Sequence, residues 1–333
     1  MSNKNCGMAK PLCAFALILL FVVAGCQGQS AATRNSNSGD KKPETKRPEK
    51  AVAFDANRAY EHVKKVVEMG PRPVGSEALK KTQQYIDDEL KSYGLKVTAD
   101  SFEADTTRGK KPMKNIIGEL PGEKTEVVVI AGHYDTKPQP GFVGANDGGS
   151  STAAVLEMAR ALSKTKPEYT LWFVFFDGEE AFVDWNANDG KDNTYGSRHM
   201  VARMSADGTI KRIRALVLVD MIGDKNLDLL KDDESTPWMV NLVWNTASEL
   251  GYDKHFIDSG AGYSDDHLPF KEAGIPVIDI IDFNYGPNNS YWHTNQDTLD
   301  KVGGESLKVV GDVVIKSLPE IFKHLNASSR VGH

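Results

Sequence analysis

The sequence of 333 residues contains almost no cysteine, and the three that it has all lie near the amino terminus. Cys6, Cys13 and Cys26 are followed by no other cysteine. Residues 27–333 can therefore form no internal disulfide, no thiolate metal site and no cysteine nucleophile. Any chemistry in this part of the chain must use oxygen and nitrogen side chains.

Beyond the first fifty positions, basic residues are not in excess over acidic ones. Residues 1–50 carry eight Lys or Arg and three Asp or Glu, a net charge of +5, whereas the whole chain has −6, so residues 51–333 carry −11. Nucleic-acid binding depends on basic side chains that neutralise phosphates. We therefore expect no nucleic-acid partner.

Only one long apolar run is present, at residues 12–24. Lys4 and Lys10 precede it, and a run of this length is typical of a secretory signal peptide rather than of a membrane span. Its end, at residues 23–26, resembles the lipobox of bacterial lipoproteins. This resemblance implies a signal peptide at residues 1–25, a lipid on Cys26, and an exported protein anchored to a bacterial membrane, in the periplasm or at the cell surface.

The alternative to a lipoprotein is a plain signal peptide with an incidental cysteine. Residues 26–50 are polar, rich in Ser, Asn, Lys and Pro, and show no apolar periodicity. This composition is typical of a flexible tether. We expect the catalytic or binding domain to occupy residues 51–333.

Residues 51–333 alternate between short apolar runs and helical patterns without a break that resembles a linker. Continuous apolar runs predict strands buried on both faces, at residues 115–120, 127–131, 171–176, 215–219 and 276–281. Helical patterns lie at residues 151–162, 237–250, 266–273 and 306–325, after two helices that Asp55 and Ser76 would cap. We expect a single α/β domain with a central, mostly parallel twisted sheet flanked by helices.

Polar side chains collect where the predicted strands end, which is where open α/β sheets bind ligands. The histidines there are His133 and His293, and the carboxylates are Asp135, Asp147, Glu179, Glu180, Asp220, Asp265 and Asp266. So many carboxylates at one edge raise one another's pKa unless a cation compensates. Imidazole and carboxylate ligands without thiolate suit Zn²⁺ better than Mn²⁺ or Co²⁺. Any one of these residues alone is better explained as a helix cap or a surface group.

Glu179 and Glu180 form the most specific element of this set. Adjacent residues in an extended turn point in different directions. One carboxylate can therefore bind a metal while the other serves as a general base beside it. An acidic surface turn is the alternative interpretation.

Several segments resemble the zinc peptidases of the M28 clan and, within it, the glutaminyl-peptide cyclotransferases. The clan motifs are Gly-His-Tyr-Asp at 132–135, Gly-Ala-Asn-Asp at 144–147, Asp-Gly-Glu-Glu at 177–180, Leu-Val-Asp at 218–220 and His-Thr at 293–294. The cyclotransferase motifs are residues 176–182, Trp185, residues 195–199, Asp-Asp-His-Leu-Pro-Phe at 265–270, and Trp292 directly before His293.

The resemblance implies an enzyme that converts the amino-terminal glutamine of peptides and proteins to pyroglutamate with release of ammonia. It implies one zinc ion held by Asp147, Glu180 and His293. It also implies Glu179 as the general acid/base, a hydrogen-bonded pair of Asp220 and Asp265 beside it, and Trp185 and Trp292 as walls of the substrate pocket. We expect a monomer.

Other features resemble the di-zinc aminopeptidases of the same clan. Among them are Gly148-Gly149-Ser150 after Asp147 and Gln296-Asp297-Thr298 after His293-Thr294. An aminopeptidase would bind a second zinc through His133 and Asp220, with Asp147 bridging both ions.

The loop at residues 282–291 also departs from the cyclotransferase pattern, and either Phe283 or Tyr285 could supply its missing pocket aromatic. Gly132 stands where many animal cyclases have a cysteine, so no disulfide braces this site.

A catalytically silent binding domain is a third possibility, although every expected catalytic and ligand residue is present.

Overall fold

The computed structural model describes residues 51–331, with side chains as far as residue 328. The predicted signal peptide at 1–25 and the predicted lipidated tether at 26–50 lie outside the described residues. Within residues 51–331, no helix combines the length and the apolar character that a membrane span requires.

Eight strands and eight α-helices are found between residues 51 and 331. The strands are β1 Lys96–Thr106, β2 Gly109–Leu120, β3 Lys124–His133, β4 Tyr169–Phe176, β5 Ile213–Asp220, β6 Leu229–Asp232, β7 Phe256–Ala261 and β8 Val277–Ile281. The helices are α1 Ala56–Glu68, α2 Glu77–Ser92, α3 Gly149–Leu162, α4 Ala187–Gly190, α5 Tyr195–Ala206, α6 Pro237–Glu249, α7 His267–Glu272 and α8 Gly304–Val331.

The central sheet contains six strands in the order β1-β2-β4-β3-β5-β8. Strands β4, β3, β5 and β8 run parallel to one another, and β2 and β1 continue the sheet in antiparallel fashion. Strands β6 and β7 form a separate two-stranded parallel sheet. The prediction of a single α/β domain with a mostly parallel central sheet is confirmed.

The parallel strands are buried on both faces, as their uninterrupted apolar runs predict. Alternate residues of β3 face different clusters: Val128 and Ile130 belong to the larger apolar core, and Val127 and Val129 to the smaller one. Helices α1, α3, α6 and α8 contribute to the larger core, whereas α5 and α7 contribute to the smaller one. The sheet is therefore covered by helices on both sides.

Both predicted amino-terminal helix caps are present. The Asp55 carboxylate accepts hydrogen bonds from two backbone N–H groups of α1, and the Ser76 hydroxyl accepts one from Leu79 in α2. These bonds satisfy N–H groups that have no partner inside the helix.

Candidate active site

The parallel strands bring the predicted site residues to one edge of the sheet. His133 is the last residue of β3, Asp220 is the last residue of β5, and Glu179 and Glu180 follow β4 closely. In the register of the sheet, His133 pairs with Phe176, and Asp220 pairs with Ile281 at the end of β8. The carboxyl ends of neighbouring parallel strands therefore place imidazole and carboxylate groups side by side.

One group at this edge consists of Asp147, Glu180 and His293. Nε2 of His293 lies 3.4 Å from Oδ2 of Asp147 and 3.2 Å from Oε2 of Glu180. Both of these carboxylate oxygens are buried and have no hydrogen-bond partner. Unpartnered buried oxygens that converge with an imidazole nitrogen are the arrangement that a bound cation would satisfy.

The donor atoms of this group fit zinc. One nitrogen and two oxygens lie within 4.8 Å of one another, with no sulfur among them. Three protein ligands with an open fourth position are typical of catalytic zinc. Burial and the charge of the neighbouring Asp147 raise the pKa of Glu180, so a cation at this position would favour its ionised form.

A second group shares Asp147 and adds His133 and Asp220. Nε2 of His133 forms a hydrogen bond of 3.1 Å with Oδ1 of Asp220 and lies 3.2 Å from Oδ1 of Asp147. Burial opposes the protonation of His133, but the charges of Asp220 and Glu179 raise its pKa well above the usual value. The imidazole of His133 therefore already has a polar partner in this structure.

The Glu179–Glu180 turn is fixed by hydrogen bonds to its backbone. The carboxylate of Asp135 accepts bonds from the N–H groups of Glu179 and Glu180, at 3.1 and 3.4 Å. Gly178 adopts a left-handed φ of +68°, and a Cβ at this position would lie 2.7 Å from the sulfur of Met113. The turn therefore requires glycine, and it sends the two glutamate side chains to different surroundings.

Glu179 is buried, with 7% of its surface exposed, and faces the other carboxylates. Burial raises its pKa well above the usual value; the positive charge of His133 counteracts this, while Asp265 and Glu180 add to it. A carboxyl group with a raised pKa can both accept and return a proton near neutral pH.

Asp220 and Asp265 both line the cavity, and each carboxylate accepts hydrogen bonds from other groups. Asp265 Oδ1 accepts the N–H of Asp266, and Asp220 Oδ1 contacts His133 and the N–H of Met221. Burial and the charge of Asp220 raise the pKa of Asp265 well above the usual value. The charge of Asp220 thus acts on Asp265, and the hydrogen-bonded pair that the resemblance implies stays a prediction.

A cavity of about 340 Å³ opens onto these groups. Its polar lining includes Asp147, Glu179, Asp220, Asp265 and His293. Its apolar lining includes Trp185, Met221, Tyr263, Ile281, Phe283 and Trp292. His133 is not part of this lining. The cavity thus combines a few polar groups at one point with an aromatic enclosure, as small-molecule sites commonly do.

The aromatic wall also orients one of the proposed ligands. The ring of Trp292 stacks on the imidazole of His293 with centroids 3.9 Å apart, and Phe283 packs against Trp292 at 4.8 Å. His293 itself has a left-handed φ of +52°, which is unusual for a residue with a side chain. The backbone of His293 is in an unfavourable conformation, and stacking on Trp292 helps to hold the imidazole in its position.

The structure distinguishes the two candidates for the missing pocket aromatic. Phe283 lines the cavity, whereas Tyr285 is fully buried and donates a hydrogen bond to Asp297. Trp185 lines the cavity as well, and its indole N–H reaches the hydroxyl of Ser264 at 3.4 Å.

A family model described as "Peptidase family M28" matches residues 115–318. The chain belongs to this family.

Individual proteins similar to this chain include glutaminyl cyclotransferases and an aminopeptidase precursor. A glutaminyl-peptide cyclotransferase of Drosophila melanogaster is 29% identical over 70% of this chain and 72% of its own length. The crystal structure of a glutaminyl cyclase from an Acidobacteriales bacterium is 37% identical, covers 89% of this chain and all of its own, and superposes with a TM-score of 0.78. A leucine aminopeptidase precursor from Bacteroides thetaiotaomicron is 30% identical over 80% of this chain and 98% of its own, with a TM-score of 0.73.

Two buried residues near the M28 site were not predicted from the sequence. Arg72 donates hydrogen bonds to the carbonyls of Val143 and Gly144, and Asp297 accepts them from the N–H groups of the Asp147 turn. Burial lowers the pKa of Arg72 to about 10 and raises that of Asp297 to about 7. Because both residues act on backbone groups, no local sequence pattern reveals these roles, although Asp297 lies in the aminopeptidase-like segment named above.

Proposed function

We infer that this chain is a glutaminyl-peptide cyclotransferase, which converts the amino-terminal glutamine of a peptide to pyroglutamate and releases ammonia. The observation that carries this inference is the aromatic cavity, which reaches Glu179, Asp147 and His293 but not His133. The likeness to cyclotransferases supports it over most of the chain. The cavity thus offers a substrate Asp147 and His293 of the first ligand group, together with the buried carboxyl groups of Glu179, Asp220 and Asp265.

We propose that Asp147, Glu180 and His293 hold one zinc ion. When it is bound there, zinc supplies a Lewis acid that polarises the side-chain carbonyl of the substrate glutamine. The unpartnered oxygens of Asp147 and Glu180 support this assignment.

Glu179 is the proposed general acid/base. Its carboxylate accepts a proton from the α-amine as that nitrogen attacks the amide carbon, and then returns the proton to the departing ammonia. The same carboxyl group can serve both steps because its pKa is raised by burial and by its carboxylate neighbours. Asp265 contributes to this raised proton affinity by placing negative charge nearby, and Asp220 in turn raises the pKa of Asp265.

The aromatic wall is proposed to bind and orient the glutamine. Trp185, Phe283 and Trp292 enclose a space that suits an uncharged amide side chain and excludes water. Since amine and amide belong to the same residue, holding the glutamine in a folded conformation supplies much of the rate enhancement.

A di-zinc aminopeptidase is the second candidate function. His133, Asp147 and Asp220 lie close enough to hold another ion, and an aminopeptidase precursor is among the structurally similar proteins. In that reaction Glu179 would activate water, and the first residue of the peptide would be released.

One experiment separates the two candidates. The purified protein is incubated with a short peptide that begins with glutamine, and the products are analysed for ammonia, free glutamine and peptide mass. A cyclotransferase yields ammonia and a peptide of unchanged length with a blocked amino terminus. Release of free glutamine and a shortened peptide would instead identify an aminopeptidase.

We also propose that the enzyme is exported and held at a bacterial membrane by a lipid on Cys26, and that it acts there as a monomer. Lys4, Lys10 and the apolar run at 12–24 support export, and the lipobox-like residues 23–26 support lipidation. In a bacterial host, the full chain should partition into the detergent phase, whereas a Cys26→Ser variant should not. Equal partitioning of the two proteins would rule out the anchor. Sedimentation of the domain at residues 51–333 measures whether it is a monomer.

A further inference from the structure

The carboxylate of Asp297 is fully buried and accepts three hydrogen bonds from two separate loops. Oδ1 accepts the N–H of Asn146 at 2.8 Å, and Oδ2 accepts the N–H of Asp147 at 3.0 Å. Oδ1 also accepts the hydroxyl of Tyr285 at 2.7 Å. Asp297 is therefore bonded to the backbone that presents a proposed zinc ligand and to the loop that forms one side of the cavity.

The Asp147 turn is held from two directions. The guanidinium of Arg72, which is also fully buried, donates to the carbonyls of Val143 and Gly144 at 2.7 and 2.9 Å. Asp297 accepts from the N–H groups that follow. Arg72 thus binds two carbonyl groups at the start of the turn and Asp297 binds two N–H groups at its end, which restricts the direction of the Asp147 side chain.

The Tyr285 bond extends this fixation to the cavity. Tyr285 lies two residues after Phe283, and its ring packs at 5.3 Å against that of Tyr291, the neighbour of Trp292. Phe283 and Trp292 both line the cavity, whereas Tyr285 and Asp297 do not. The two buried residues can therefore influence a substrate only through the groups that they hold in place.

We propose that Asp297 is a positioning residue that couples the Asp147 turn to the cavity wall through the hydroxyl of Tyr285. The assignment rests on Asp147 being a zinc ligand, as proposed above. Asp297 makes two sets of hydrogen bonds, which we call its two arms. The turn arm, to Asn146 and Asp147, orients the zinc ligand, and the cavity arm, to Tyr285, holds the loop that contains Phe283.

Two conservative variants separate these arms. Asp297→Asn replaces one acceptor oxygen with an N–H₂ group, so at least one N–H of the Asp147 turn loses its acceptor. Tyr285→Phe removes only the hydroxyl and leaves both bonds to the turn intact. The matched control for Asp297→Asn is Asp300→Asn, at an exposed carboxylate three residues further on. The matched control for Tyr285→Phe is Tyr252→Phe, at a tyrosine that is hydrogen-bonded to Asp312.

Zinc affinity is measured by competition with a chelator in the absence of substrate, and KM and kcat with a peptide that begins with glutamine. Asp297→Asn should weaken zinc binding by about 10- to 100-fold, the usual effect of losing a partner that orients a metal ligand. Tyr285→Phe should raise KM severalfold and leave zinc affinity unchanged. In the double variant the effect on KM should be smaller than the product of the single effects, because the hydroxyl acts through Asp297.

Unchanged zinc affinity in Asp297→Asn, with only a lower melting temperature, would overturn the proposal and leave Asp297 a structural residue. Multiplicative effects on KM would overturn the coupling. If Asp297→Asn does not fold, Tyr285→Phe alone decides, since a KM equal to that of wild type refutes the cavity arm. Failure of the cyclotransferase assignment is distinguishable, because it would appear as wild-type protein that binds zinc but forms no ammonia.

Discussion

The two halves of the acidic centre share Asp147 but satisfy their remaining polar atoms in different ways. In the half formed with His133 and Asp220, a hydrogen bond of 3.1 Å already joins imidazole and carboxylate. In the half formed with Glu180 and His293, the carboxylate oxygens that face the imidazole have no hydrogen-bond partner. Only the second half includes a histidine that lines the cavity.

This difference indicates how the same five residues, Asp147, Glu180, His293, His133 and Asp220, can bind either one metal ion or two. A buried carboxylate oxygen that accepts no hydrogen bond is costly, so Oδ2 of Asp147 and Oε2 of Glu180 favour a bound cation, whereas Oδ1 of Asp220 already has a hydrogen bond to His133. The residues of a di-metal centre can therefore remain in place while one half becomes a hydrogen-bonded support. Changes to either half of the centre and to the wall beside it test that division.

The largest effect should come from removing a ligand of the Glu180 half, whereas removing the histidine of the other half should leave zinc content unchanged. Glu180→Ala should purify without zinc and without cyclotransferase activity, because two remaining ligands do not hold the ion tightly. His133→Ala should keep one zinc per chain. Elemental analysis of the dialysed proteins measures both, and loss of zinc from His133→Ala would show that the two halves are not distinct.

Glu179 should be essential for turnover but not for zinc binding. Glu179→Gln keeps the size of the side chain and removes its proton acceptor, so kcat should fall by roughly 10²- to 10⁴-fold. Zinc content should stay at the wild-type level, since Glu180 and not Glu179 faces His293. A variant that retained full activity would exclude Glu179 as the acid/base.

Removing zinc should lower the free energy of unfolding only in proteins whose Glu180 half is intact. A ligand that binds only the folded state stabilises it by about 4 kcal/mol when its free concentration is 1,000 times Kd. Thermal unfolding with and without a chelator should therefore differ for wild type and for His133→Ala, but not for Glu180→Ala. Equal chelator effects on all three proteins would contradict the division.

The smallest effect concerns the aromatic wall beside His293. Phe283→Leu removes a ring contact with Trp292, which is worth about 0.5–1.5 kcal/mol beyond its buried area. KM for a peptide with amino-terminal glutamine should rise several-fold while zinc content stays constant. Phe102→Leu, which removes a ring stacked on His199 outside the cavity lining, is the control and should leave KM unchanged.

The strands predicted from the sequence are those whose residues are buried on both sides. The runs at 127–131, 171–176 and 215–219 lie within β3, β4 and β5, because continuous apolar sequence leaves few alternatives to a central strand. Strand β1 was missed, since most of its residues are at least partly exposed and several are acidic. Its extended conformation is fixed by pairing with β2, which is a tertiary effect.

A similar limit applies to the site. Asp147, Glu180 and His293 were identified because their residue types suit a metal and lie in recognisable motifs. Asp297 was noticed only as part of an aminopeptidase-like segment, since its function depends on which backbone N–H groups the fold brings to it. The choice between Phe283 and Tyr285 could not be made from an irregular loop, because no periodicity tells which side chain faces the cavity.

The size of the cavity determines how much of a substrate the enzyme can recognise. At about 340 Å³ it lies at the small end of the range for ligand pockets, and it has room for a terminal residue and little more. The second and later residues of a bound chain must remain outside the aromatic wall. Such an enzyme would act on chain ends of any length and sequence that are unstructured enough to enter, so accessibility of the terminus, rather than the identity of the protein, would decide which molecules are modified.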